Sequence, residues 1–167
     1  MLKLFIIYGR HLSKDHMQRY CPTANPMAVA TLKDYQLVFQ SREDGPGAVA
    51  NVVPAEGQEV PVVIWEISEQ DERFMDINQG TGEGICTKEW LDIDVNGNTL
   101  QAMMYVMEPG PYGVPTDKYL HTMAEGYREF CLPVKALNDA LTSAYEATVI
   151  NGDSLHAHEN SVLRPAQ

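Results

Sequence analysis

The stretch "DINQGTGEG", residues 76–84, decides between two kinds of fold. Glycines at 80, 82 and 84 would cradle a phosphate if they followed a strand and opened a helix, because backbone amides and a helix N-terminus then converge on the anion. The order here is the reverse. Upstream, Ser68 followed by Glu69, Gln70 and Asp71 marks a helix N-terminus, since acidic residues there suit the exposed amides and the dipole. That helix is expected to run to about Met75. Downstream, "ICTKEWLDIDV" (85–95) is rich in β-formers, and no Gly-Lys-Ser/Thr supplies a lysine. The glycines therefore predict a helix C-cap, with Gly80 or Gly82 in the left-handed conformation, and not a nucleotide loop.

On the far side of that strand, Asn96-Gly97 separates it from "TLQAMMYVM" (99–107), and Asn-Gly between two β-rich runs predicts a hairpin. Toward the N-terminus, "LKLFIIY" (2–8) reads as a buried first strand ended by Gly9. Ser13 can cap a short helix carrying Met17 and Tyr20, which Pro22 closes. "YQLVF" (35–39), "AVANVV" (48–53) and "VPVVIWEI" (60–67) read as three further strands, with Pro61 tolerable only at a strand start or a sheet edge. "SREDGPG" (41–47) between the first two reads as a mobile loop. After the breaker "EPGPYGVPT", the residues Tyr119, Leu120, Met123, Tyr127 and Phe130 recur at helical spacing. A second helix follows Pro133, with Val134, Leu137 and Leu141 on its face. Strands dominate the first two thirds and helices the last, so an α+β domain with a curved or closed sheet fits better than alternating βαβ units. Residues 1–145 are expected to form one domain and residues 146–167 a loosely attached tail.

Twelve Lys and Arg against 23 Asp and Glu give a formal net charge of −11, which repels nucleic acid and anionic lipid. No apolar run approaches a membrane span, and the short run after Met1 lacks the features of a signal peptide. The three cysteines, Cys21, Cys86 and Cys131, match neither a disulfide framework nor a zinc site, so a reducing cytoplasm is expected. No cofactor and no metal are expected; His156 and His158 alone make no metal site. A monomer or homodimer is expected.

Six segments in order carry a resemblance. They are "IIYGRHL", "DYQLVF", "VANVVP", "VPVVIWEI", "FMDINQG" and "PTDKYLHTMAEGYREFCLP". Together they resemble the γ-glutamyl cyclotransferase-like family over about residues 4–145. The resemblance implies a small mixed β-barrel with helices packed outside. It also implies a reaction in which the α-amine of a γ-glutamyl amine attacks its own γ-carbonyl, expels the amine and leaves 5-oxoproline. The turn after the first strand, Tyr8, Gly9, Arg10, His11 and Leu12, would then face a small-molecule ligand, with Gly80, Cys86 and Tyr119 as further pocket residues. A glutamate would shuttle the proton.

At that glutamate position stands Gln79, and an amide neither takes nor gives a proton at neutral pH. Arg10-His11 stands where the family has Ser-Asn, and Cys86 where it has Tyr. Glu83 is the best-placed substitute carboxylate, ahead of Asp76 and Glu89, and His11 titrates in the right range to serve instead. Arg10 can hold a ligand carboxylate by a two-pronged hydrogen bond, so the ligand is expected to be anionic. Two functions follow: an enzyme with a substitute acid/base, or a catalytically silent domain that binds an anionic small molecule or a protein partner.

Overall fold

The computed structural model describes residues 2–42, 45 and 47–156. Five strands and four helices follow the chain: β1 (Lys3–Ile7), α1 (Lys14–Tyr20), β2 (Asn25–Ser41), β3 (Ala48–Ile67), α2 (Glu69–Asn78), β4 (Cys86–Val95), β5 (Asn98–Met107), α3 (Asp117–Glu129) and α4 (Lys135–His156). Single 3-10 turns occupy Arg10–Leu12 and Thr81–Glu83. The sheet order is β2-β3-β1-β5-β4, with β1 parallel to β5 and the other neighbours antiparallel. Central β1 buries Phe5, Ile6 and Ile7 in succession, as a strand covered on both faces must. The edges β2 and β4 touch, but no ladder joins them. The α+β class therefore stands, and the expected barrel is a curled sheet left open.

The sheet curls because its longest ladder is irregular. "YQLVF" is only the buried end of β2, which starts ten residues earlier at Asn25. Its first half is largely exposed and hid from a reading based on apolar runs. The two strands expected at 48–53 and 60–67 are one strand, β3. Lys33 pairs with Glu59 and Tyr35 with Pro54, so β3 carries extra residues at that point, which bends and twists a ladder. Gly57 there has φ 81°, and its N–H donates to Asp34 Oδ1 at 3.0 Å. Pro61 is tolerated because β1 pairs with β3 only from Val63 to Ile67, beyond the proline.

Local chemistry sets the helices. Ser68 and Asp71 form a reciprocal capping box on α2, which reaches Asn78, three residues past the expected end. Gly80 has φ 70° and Gly84 φ 75°, so the first of the two expected candidates is the left-handed cap. Asn96 and Gly97 both have positive φ and close the β4–β5 hairpin as read from the sequence. Of the expected loop at 41–47, residues 43, 44 and 46 lie outside the described set. α4 crosses the boundary expected at 145 and runs to His156, burying Leu137, Ala140 and Ala144 while Tyr145 and Ile150 are exposed. That apolar stripe ends before the helix does, which is why periodicity stopped short. His158 lies outside the described residues.

Two contacts fix the end of β1. Asn51, fully buried, donates to Gln40 Oε1 at 2.9 Å and to the Met107 carbonyl at 3.0 Å, and accepts from the Met107 N–H at 3.0 Å. This ties β3 to β5 with every polar atom of the amide engaged. On the other side, α3 crosses the Arg10–Leu12 turn at Gly126. A Cβ there would lie 2.4 Å from Leu12 Cβ and 2.8 Å from the backbone of Leu12 and Ser13. Gly126→Ala should lower stability by about 1–3 kcal/mol despite the better helix propensity of alanine, because backbone must move. A denaturant midpoint equal to the native one would show that α3 does not clamp the turn.

Candidate functional site

Where β1 ends, the turn, the last residues of α2, the first turn of α3 and the start of β3 enclose a cavity of about 450 Å³. Gly9 is required at its floor: a Cβ would stand 3.2 Å from Tyr119 Oη and 3.4 Å from Ala50 Cβ. Tyr119 Oη accepts the Ala50 N–H at 2.9 Å, so the ring is locked between β3 and the turn. Burial raises the pKa of Tyr119. The Arg10 guanidinium lies over the Tyr119 ring, 5.3 Å from its centroid. Tyr8 Oη donates to the Tyr105 carbonyl at 2.6 Å, and burial drives its pKa well above the ordinary phenol value.

Gln79 lies at the C-cap of α2, its N–H donating to the Met75 carbonyl at 2.8 Å. Its side-chain Nε2 is 3.3 Å from Asn78 Oδ1 and 3.4 Å from His11 Nε2, while Cys86 Sγ donates to its Oε1 at 3.7 Å. An amide nitrogen only donates, so His11 Nε2 accepts and the ring is the neutral Nδ1–H tautomer. That Nδ1 has no partner among the described residues. Burial first, then the nearby His16 and Arg10 charges, lower the His11 pKa to about 3, against a raising hydrogen bond with Asn78. His16 is lowered to about 4, again chiefly by burial, and its ring centroid is 4.7 Å from that of His11.

The sequence thus placed Tyr8, Gly9, Arg10, His11, Gln79 and Tyr119 in one cavity wall. Leu12 is buried under α3, Gly80 forms the cap behind Gln79, and Cys86 touches Gln79 from outside the lining. Glu83 is exposed on its 3-10 turn and does not line the cavity. Asp76 is engaged elsewhere, accepting from Tyr105 Oη at 2.5 Å and pairing with Lys88 at 2.9 Å. Lys88 and Lys3 also hold Glu72, each at 2.6 Å. Burial pushes Glu72 up, but these two hydrogen bonds outweigh it and leave its pKa lowered. Glu89 is exposed on β4. Sequence reasoning missed Arg42 and Lys118, which join Arg10 in the lining, and Thr116, whose Oγ1 accepts the Tyr119 N–H and caps α3. Lys118 stands one residue before the tyrosine already singled out, and the α3 N-terminus adds partial positive charge. Among the described lining residues three are Lys or Arg and none is Asp or Glu.

This cavity, at the junction of a strand-ending turn and a glycine-capped helix, can be set beside known proteins. The family model "Gamma-glutamyl cyclotransferase, AIG2-like" matches residues 5–129. The chain belongs to that family. Gamma-glutamylcyclotransferase of Bos taurus is 24% identical over 155 residues, covering 87% of this chain and 82% of the bovine one. The Homo sapiens protein of the same name is 22% identical over 138 residues, covering 79% and 73%. A solved structure described as gamma-glutamyl cyclotransferase superposes with a TM-score of 0.75 at 22% identity, covering 84% and 86%, which shows a shared fold. In this member of the family, no helix among the described residues is long and apolar enough to cross a membrane.

The histidine beside Gln79 has a consequence in acid. An unfolded imidazole takes its proton near pH 6.5, whereas His11 in the fold holds off to about 3, so the unfolded state binds more protons between those values. Stability therefore falls as pH drops below about 6.5. His11→Gln should flatten this loss by on the order of 2–3 kcal/mol between pH 6.5 and 4. Imidazole NMR shifts of the native protein should show His11 neutral down to about pH 4. A His11 titration near 6.5 would contradict the buried, neutral assignment.

Proposed function

We propose that this family member binds a small anion in the cavity at the end of β1 and does not carry out the family's cyclisation. The observation that carries this reading is the lining itself: Arg10, Arg42 and Lys118 are present, and no carboxylate is among the described lining residues. Cyclisation of a γ-glutamyl amine forms a bond between the α-nitrogen and the γ-carbon and breaks the bond to the departing amine. One proton must leave the attacking ammonium and one must reach the leaving nitrogen. Gln79 can do neither. His11 is neutral, but at a pKa of about 3 it is too weak a base for an α-ammonium with a pKa near 8. A gap of roughly five units disfavours that transfer by about 10⁵-fold.

The substitutes weighed from the sequence fare no better. Glu83 faces solvent outside the lining, and Asp76 is paired with Lys88 and Tyr105. What remains is a water-sheltered cationic recess, floored by Gly9 and Tyr119, suited to hold an anion. The test is 5-oxoproline release from a panel of γ-glutamyl amines, by the native chain and by Gln79→Glu. The native chain should show no turnover above background, and the variant should gain about 10²-fold or more. Release by the native chain at a rate matching the variant would point to a substitute base and sink the silent-domain reading.

A further inference from the structure

The cavity has an electrostatic bias that reaches the identity of the ligand, and the step rests on the anion-binding reading above. A γ-glutamyl amine carries carboxylate and ammonium on one carbon, so a cavity built for it needs a negative group to face the ammonium. In this chain the polar groups nearest the turn are the Arg10 guanidinium, the neutral His11 ring and the Gln79 amide. The two acids of α2 that point toward the neighbouring sheet are taken: Glu72 by Lys3 and Lys88, and Asp76 by Lys88 and Tyr105. Asp117, in the first turn of α3, lies outside the lining, whereas its neighbour Lys118 lies within it. An ammonium at this place would meet like charge and find no carboxylate among the described lining residues.

A second carboxylate, by contrast, would be well received. Arg10, on the turn, and Lys118, on the first turn of α3, come from separate elements, so they offer two positive positions and not one. Thr116 and Tyr119 place the N-terminal end of the 13-residue α3 at the same wall, adding the partial positive charge of its amides. Gln79 Nε2 is a donor, so it tolerates an anionic neighbour that a glutamate would repel. His11 adds a buried Nδ1 with no partner, a donor in the tautomer that Gln79 imposes. The Arg10 and Gln79 side chains therefore act in the same direction on the ligand.

We infer that the cavity selects a small organic dianion without an ammonium group, a dicarboxylate, over the amino acid of the same skeleton. The selection is consistent with a silent site, because a ligand with no amine has no nucleophile to cyclise and needs no proton shuttle. Glutarate and L-glutamate form a matched pair for the test, differing only in the ammonium. Calorimetric titration of the full chain at pH 7 should give glutarate an affinity about tenfold or more above that of glutamate. Arg10→Ala should weaken glutarate about tenfold, and Gln79→Glu should narrow or reverse the preference. Glutamate binding as tightly as glutarate, or more tightly, to the native chain would overturn the inference and leave the anion-binding reading standing. Binding of neither, together with no binding of any γ-glutamyl amine, would overturn both.

Discussion

Helix α3 passes so close to the turn after β1 that position 126 has room for hydrogen alone. That contact, Gly126 against Leu12, forces the turn onto the end of the central strand and leaves Arg10 and His11 facing the cavity. The same helix sends Tyr119 back under the turn, where its hydroxyl accepts the Ala50 N–H and its ring underlies Arg10. One helix thus positions the wall of the site three ways, by packing, by a hydrogen bond and by an aromatic platform for a cation. Asn51 does the corresponding work on the far side, joining β3 to β5 through a fully bonded buried amide. A buried polar group satisfied in this way specifies one register, since a slip would leave several groups unpaired.

Charge is sorted across α2. The face toward β1, β4 and β5 carries Glu72 and Asp76 in a ladder with Lys3, Lys88 and Tyr105, while its C-terminal end presents Asn78 and Gln79 to the cavity. In a chain of net charge −11, a recess lined by Arg10, Arg42 and Lys118 is a local reversal of sign. Long-range repulsion and short-range attraction then act together: the acidic surface discourages polyanions, while the recess favours an anion small enough to enter. Arg42 also braces the cap of α2 by donating to the Asn78 carbonyl at 3.0 Å.

Much of this was legible in the sequence, for reasons that can be named. The glycine order around Gly80, the Asn96-Gly97 hairpin and the Ser68 cap are local rules that act within a few residues, and all three hold. The full extents of β2 and β3 were not legible, because their bulge at Asp34 and Gly57 depends on a pairing 23 residues apart. The open sheet is likewise a property of curvature and not of any segment. At the site, motif order located the turn, Gln79 and Tyr119. Lys118 and Arg42 escaped because a surface cation gains meaning only when the fold brings it to a wall shared with others. The fate of Asp76 was hidden for the same reason: its partners, Lys88 and Tyr105, sit on different strands.

The central claim is that the cavity is built to meet negative charge and offers none. The most direct measurement is a crystal structure of the native protein with glutarate. One carboxylate is predicted against the Arg10 guanidinium, above the Tyr119 ring, with the second toward the first turn of α3 near Lys118. Glutarate bound away from this cavity, or held within it by contacts that leave Arg10 and Lys118 unengaged, would contradict the account.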